Sequence, residues 1–194
     1  WLIPRLPELR ALHPDIVVHI ETRTRPFLFA DTPFDAALYA GTAEQVANWA
    51  GTRSTLLVPE EVLPVCAPRL LGQAQRLSPQ AVAELPLLQQ STRPFGWSQW
   101  FEAMGVAAPN ALSGPRYELF SMTATAAIHG LGVALVPRLL VETELARGDL
   151  VVACNQPLRG ERAYYLVTPL RSEAPAALAL FTAWLALAAD PAHG

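Results

Sequence analysis

The chain has 194 residues, 52% of them hydrophobic and 16% charged, a balance that excludes a disordered segment and suffices to bury a core in one domain or two small lobes. Fourteen basic against seventeen acidic residues give a formal net charge of −3, so these residues lack the electrostatic footprint of a nucleic-acid binder. Any DNA contact lies outside this chain.

In chain order, Trp1 to Leu12 reads as a helix despite Pro4 and Pro7 near its start, and His13-Pro14 stops it. Asp15 to Thr22, with Ile16, Val17, Val18 and Ile20, predicts a strand, and Phe34 to Tyr39 the next. Thr55 to Ala67 reads as mostly extended, Pro68 to Leu71 as a helical turn, and Ser78-Pro79 opens a short helix through Leu85. Leu87 to Gln90 is a short strand, Gly96 to Met104 a helix and Tyr117 to Phe120 extended. Ser121 and Thr123 are the hydroxyl residues expected to cap the next helix, with Gly130 as its left-handed stop. Val133 to Val136 is a buried strand, Pro137 opens a helix ending near Gly148, and Arg162 to Thr168 is the last strand. Eighteen prolines are spread along the chain as punctuation between short elements, and there is no internal repeat. Helices alternating with strands predict an α/β fold with mainly parallel sheets.

The longest apolar run, Ala174 to Ala189, is too short for a membrane span, lacks basic flanks and is interrupted by Thr182. It reads as a terminal packing helix started by Ser172 and Glu173, with Leu178, Phe181 and Leu185 facing a core. Cys66 and Cys154 stand alone in apolar settings, which favours buried thiols in a reducing compartment, with one Cys66–Cys154 disulfide as the alternative.

The sequence contains no G-x-S-x-G elbow, no H-E-x-x-H, no C-x-x-C and no phosphate loop, so no residue is assigned as catalytic. Gly130-Leu131-Gly132 follows a helix and precedes a strand, the reverse of dinucleotide binding, and reads as a turn. His13, His19, His129 and His193 stand far apart, none at metal-ligand spacing, so neither a metal site nor a cofactor is expected. Asp31 and Asp35 are better explained by turn and strand-start chemistry than as an acid–base pair. Trp100, Phe101 and Met104 recur at the spacing of a core-facing helix. Trp97 either joins that face or roofs a small ligand, because it follows the polar loop Ser91-Thr92-Arg93-Pro94. Arg23 and Arg93 are the candidate counter-charges for a carboxylate, solvated surface being the plainer reading of each.

Six stretches carry a family likeness: WLIPRLPELRALHPDIVV (Trp1 to Val18), FDAALYAG (Phe34 to Gly41), EEVLPVCAPRLL (Glu60 to Leu71), FGWSQWFEAMGV (Phe95 to Val106), Ser121 to Leu150, and YYLVTP (Tyr164 to Pro169). In this order the chain resembles the effector-binding domain of LysR-type transcriptional regulators, in flavour closest to the glycine-cleavage activator and β-lactamase regulator branch. The resemblance implies two Rossmann-like lobes around a cleft, in the type II periplasmic-binding-protein-like arrangement. It assigns residues 1–88 and 169–194 to lobe I and 89–168 to lobe II, with hinges near Gln89 to Ser91 and Leu166 to Thr168. It also implies a winged helix-turn-helix upstream, and a strand and hydroxyl-bearing turn ahead of the first helix that this fragment lacks.

By the same resemblance the domain is cytoplasmic, is not an enzyme, and binds a small effector between the lobes: an amino acid, an aromatic acid or a cell-wall peptide. The candidate ligand-binding residues are Ser91, Thr92, Trp97, Ser121, Tyr164 and Arg23. Ser121 matches a serine that holds a cell-wall peptide in the β-lactamase regulator branch, and Tyr164 or its neighbour Tyr165 matches the accompanying tyrosine. A homodimer or homotetramer is implied, pairing the first helix with the helix after Pro137 through Leu6, Leu9, Leu139, Leu140 and Leu145. Two rivals share the scaffold: a solute-binding protein for transport, and a small-molecule lyase or hydrolase.

Overall fold

Proline placement decides how the chain starts. Proline has no N–H and is tolerated only in a first helical turn, so Pro4 opens a 3-10 turn at Ile3–Arg5 and Pro7 a separate helix α1 at Leu6–Leu12, in place of the single predicted helix. The elements that follow are β1 (Ala37–Thr42), α2 (Ala43–Ala47), β2 (Thr52–Cys66), α3 (Pro79–Ala83), β3 (Leu87–Gln90) and α4 (Gly96–Ala103). After them come β4 (Arg116–Tyr117), α5 (Phe120–Ile128), β5 (Val133–Pro137), α6 (Glu142–Arg147), β6 (Val151–Val152), β7 (Leu158–Pro169) and α7 (Ala176–Ala188).

The computed structural model describes residues 1–171 and 175–189, so the proposed helix start at Ser172 and Glu173 lies outside the described residues. The chain forms two compact units, one from Trp1–Glu60 with the segment that begins at Gly160, the other Glu61–Arg159. These boundaries differ from those expected at residues 88/89 and 168/169. The chain passes between units within the long strands β2 and β7, not at the polar loop after β3, because a strand of fifteen or twelve residues is long enough to serve both.

In the first unit β1 pairs antiparallel with β7, Leu38 opposite Leu166 and Tyr39 opposite Tyr165. Alternation along β7 splits the core into two faces. Ala163, Tyr165 and Val167 pack with Phe29, Val46 and a rim of Phe27, Phe34, Tyr39 and Trp49. Leu166 points the other way and joins Leu9 of α1 and Trp184 and Leu185 of α7. Of the residues expected to face the core from α7, Leu185 is buried and Phe181 packs at the margin. The predicted strand at Asp15 to Thr22 does not form. Its β-branched residues have no ladder partner among the described residues, and Val17 remains 74% exposed and Ile20 50%. Helix α2, absent from the sequence reading, is closed by a capping box in which Thr42 and Gln45 each satisfy the other's backbone N–H.

The second unit is a sheet covered on both faces. Strand β2 pairs antiparallel with β5 and with β6, while β3 runs parallel to both β5 and β4, so the sheet is mixed where a mainly parallel one was expected. Period-two alternation sends Leu87, Val133 and Leu135 to the face covered by Trp97, Trp100 and Phe101 of α4. Leu88, Ala134 and Val136 face Ala124, Ala126 and Ala127 of α5. Cys66 and Cys154 are both buried free thiols in the α4-side core, so the disulfide alternative is not realised. Burial lifts the Cys66 thiol from its ordinary 9.0 to about 11 and raises that of Cys154. Gly130-Leu131-Gly132 is the expected turn, and a side chain at Gly132 would collide with the Pro86 carbonyl oxygen.

Candidate functional site

Parallel strands β3 and β4 end side by side in the second unit, and each leads into a helix: β3 through Ser91 to Phe95 into α4, β4 through Glu118 and Leu119 into α5. The crevice beyond such carboxyl ends is where open α/β sheets hold ligands. Ladder bonds continue past the strands, with the Ser91 N–H donating to the Tyr117 carbonyl at 2.8 Å. Ser91, Thr92, Phe95, Ser121 and Met122 are exposed around this end, giving three hydroxyls beside two large apolar side chains. Two of the sequence candidates thus lie on one loop and a third on the first turn of the neighbouring helix.

Ser121 and Thr123 are not the caps that the sequence suggested. The N-cap position of α5 is Leu119, without a side-chain cap, and both hydroxyl residues sit inside the first turn. Freed from capping, Ser121 presents its side chain outward, whereas Thr123 is buried and donates its hydroxyl to Gln90 Oε1 at 2.8 Å. Gln90 and Thr123 had no place among the sequence candidates. The available signal was the pair Gln89-Gln90 closing an otherwise apolar buried strand, because buried amides require partners.

Trp97 takes the core side of its two readings. It is 3% exposed, stacks on Phe101 at 5.5 Å and donates its indole N–H to the Leu88 carbonyl at 3.0 Å. The guanidinium of Arg93 lies over the Phe120 ring at 5.8 Å, at the start of α5.

The remaining ligand candidates belong to the first unit. Alternation in β7 settles which tyrosine is core: Tyr165 packs with the aromatic group, and Tyr164 is half-buried on the opposite face. Arg23 forms an ion pair with Glu21 at 2.6 Å and lies over the Phe34 ring at 5.2 Å. It also borders an apolar groove of about 1430 Å³ lined by Val17, Ile20, Phe27, Leu38 and Phe181. Asp35 pairs with Arg171 at 3.1 Å, the structural role expected of it.

Among the proposed interface leucines, Leu9 is 1% exposed and spent on the core of its own unit. Leu6, Leu139, Leu140 and Leu145 are half-buried. Among the described residues no group of three or more His, Cys, Asp or Glu is placed to hold a metal, and no helix is long and apolar enough to cross a membrane.

The mixed α/β fold, with parallel strands leading into helices at their carboxyl ends, is of the type II periplasmic-binding-protein-like class. The family model for the LysR substrate binding domain matches residues 1–189, and the chain belongs to that family. The glycine cleavage system transcriptional activator of Escherichia coli K12 is 32% identical over 186 residues, 95% of this chain and 59% of the relative. An activator named AmpR from Rhodobacter capsulatus is 33% identical over 95% of this chain and 61% of its own length. The chain therefore spans about three-fifths of these curated relatives. The solved effector domain of AmpR from Pseudomonas aeruginosa superposes with a TM-score of 0.83 at 25% identity, covering 100% of this chain and 90% of that one. The chain is thus the effector-binding domain of a LysR-type regulator.

Proposed function

We propose that this domain binds a small organic effector and adjusts the activity of a transcriptional regulator that carries it. The observation that supports this reading is the gathering of Ser91, Thr92 and Ser121 at the carboxyl ends of β3 and β4. Of the other sequence candidates, Trp97 is spent on the α4 core, and exposed Arg23 and half-buried Tyr164 belong to the first unit, so the proposal rests on Ser91, Thr92 and Ser121. The effector class is an amino acid, an aromatic acid or a cell-wall peptide fragment, since hydroxyl and backbone donors beside Phe95 and Met122 suit a molecule with both polar and apolar parts.

DNA is contacted through a winged helix-turn-helix elsewhere in the protein, consistent with a net charge of −3 on this chain. Occupancy reaches that domain through a homodimer or homotetramer, with Leu6, Leu139, Leu140 and Leu145 as the interface candidates. Regulation requires that the effector bind one conformational state more tightly than another, typically with about 1 to 3 kcal/mol of coupling. The domain itself performs no chemistry and acts in the cytoplasm.

A thermal-shift screen of the domain against amino acids, aromatic acids and cell-wall peptide fragments tests the reading. A ligand bound only by the folded state stabilises it by about 2.7 kcal/mol at a hundredfold excess over Kd. A saturable shift lost in Ser121→Ala supports the site. Turnover of any of these compounds would favour the enzyme reading, and binding with no effect on a reporter promoter in the full-length protein would favour a transport role.

A further inference from the structure

One primary amide joins the segments that carry Ser91, Thr92 and Ser121. Gln90, 6% exposed at the last position of β3, donates through Nε2 to Thr92 Oγ1 at 3.2 Å and to the Glu118 carbonyl at 2.5 Å. Its Oε1 accepts from the Thr123 hydroxyl, itself 1% exposed, at 2.8 Å. Thr92 belongs to the β3–α4 loop, Glu118 to the β4–α5 connection and Thr123 to the first turn of α5. With both amide hydrogens donated and the oxygen accepting, the side chain has one satisfied orientation. Rotating the amide by half a turn would set its oxygen against the Glu118 carbonyl oxygen, acceptor facing acceptor, and that contact fixes the orientation.

We infer that Gln90 is the positioning residue of the candidate effector site, holding the Ser91–Thr92 loop and the Ser121-bearing turn of α5 in fixed register. The inference rests on the site proposed above but concerns what supports it. Ser91 follows Gln90 directly, and Ser121 lies two residues before Thr123, so the amide sits behind both exposed hydroxyls without needing to touch an effector itself. Displacement of either segment breaks its bond to the same amide that holds the other. An effector that grips one side thereby stiffens its neighbour, which would let a small molecule register on both.

Native-state amide hydrogen exchange tests this without any effector, so its outcome is independent of whether the effector reading survives. The reporting amides are Ser91, bonded to the Tyr117 carbonyl, Arg93, bonded to that of Gln90, and Met122 and Thr123, both bonded to that of Leu119. Val133, bonded to the Pro86 carbonyl, is the control on the sheet. Gln90→Met, similar in length and unable to bond, is expected to speed exchange about tenfold at all four reporters and leave Val133 within about twofold.

Thr123→Val is expected to speed exchange at Ser91 and Arg93, across the amide, whereas Thr123→Ser, which keeps the hydroxyl, restores the original rates. In the Gln90→Met background Thr123→Val should add nothing further at Ser91 and Arg93, the signature of a shared interaction. Should Gln90→Met fail to fold, the two Thr123 variants decide alone. Unchanged exchange at Ser91 and Arg93 in folded Thr123→Val overturns the inference. So does a Gln90→Met protein in which Val133 accelerates as much as the reporters, since Gln90 would then serve only global stability.

Discussion

Tyr39 and Tyr165 stand opposite one another across the β1–β7 ladder, and both turn toward the aromatic group of Phe27, Phe29, Phe34 and Trp49. Tyr39 meets Trp49 edge-on at 5.5 Å, and Trp49 stacks on Phe29 at 5.6 Å. Because side chains alternate along a strand, commitment of Tyr165 to this core sends Tyr164 to the other face. Tyr165→Ala is therefore expected to cost about 3–5 kcal/mol of stability, the range for deleting a buried aromatic side chain. Chemical denaturation with a tryptophan-fluorescence readout measures it.

Ser121 should behave in the opposite way. It is exposed and caps nothing, so Ser121→Ala is expected to move stability by less than about 0.5 kcal/mol. The same variant should lose the saturable thermal shift of the wild-type domain. A large drop in Tm without added effector would assign the hydroxyl to the fold and withdraw it from the site.

Trp100 anchors α4 to its sheet, fully buried, with its indole N–H donated to the Gln156 carbonyl at 2.8 Å. Trp100→Ala should cost about 3–5 kcal/mol by opening a cavity. Trp100→Phe keeps most of the volume and should cost less, leaving chiefly the lost hydrogen bond of about 1–3 kcal/mol. Equilibrium unfolding of both variants separates packing from bonding.

The two thiols supply a pH-dependent prediction. Cys66 has its pKa raised from 9.0 to about 11 by burial, so the folded state holds its proton more tightly than the unfolded state. Its contribution to stability is intact below about pH 9 and declines as pH rises toward 11, because only the unfolded chain then gains by releasing the proton. Urea titrations at pH 8, 9 and 10 are expected to show a falling midpoint, with less decline in Cys66→Ala. At neutral pH iodoacetamide should leave both Cys66 and Cys154 unmodified until denaturant is added.

The segment from Val17 to Thr22 should exchange its amides far faster than β1, although its sequence is the more β-branched of the two. It has no ladder partner among the described residues, while β1 is bonded along six positions to β7. Protection there comparable to that of Tyr39 or Ala40 would show that a ladder forms in solution.

Local punctuation and periodicity were readable where a few neighbouring residues carry the whole physical cause. Leu87 to Gln90 forms the expected strand with the expected bounds. Gly148 takes the left-handed conformation that ends α6, and Ser78 caps α3 through the Ala81 N–H. The family likeness carried by Phe95 to Val106 and Ser121 to Leu150 was equally a property of the residues in order, and it pointed to the LysR effector-domain fold. What the linear chain did not contain was pairing. Strand formation at Asp15 to Thr22 depends on a partner, the passage between units depends on how far β2 and β7 extend, and the true N-cap of α5 depends on where β4 ends. The roles of Ser121 and Thr123, two residues apart with similar chemistry, diverge for the same reason. A helix turn carries one of them outward and the other onto Gln90, a residue thirty-three positions away in sequence that only the folded sheet brings within 2.8 Å.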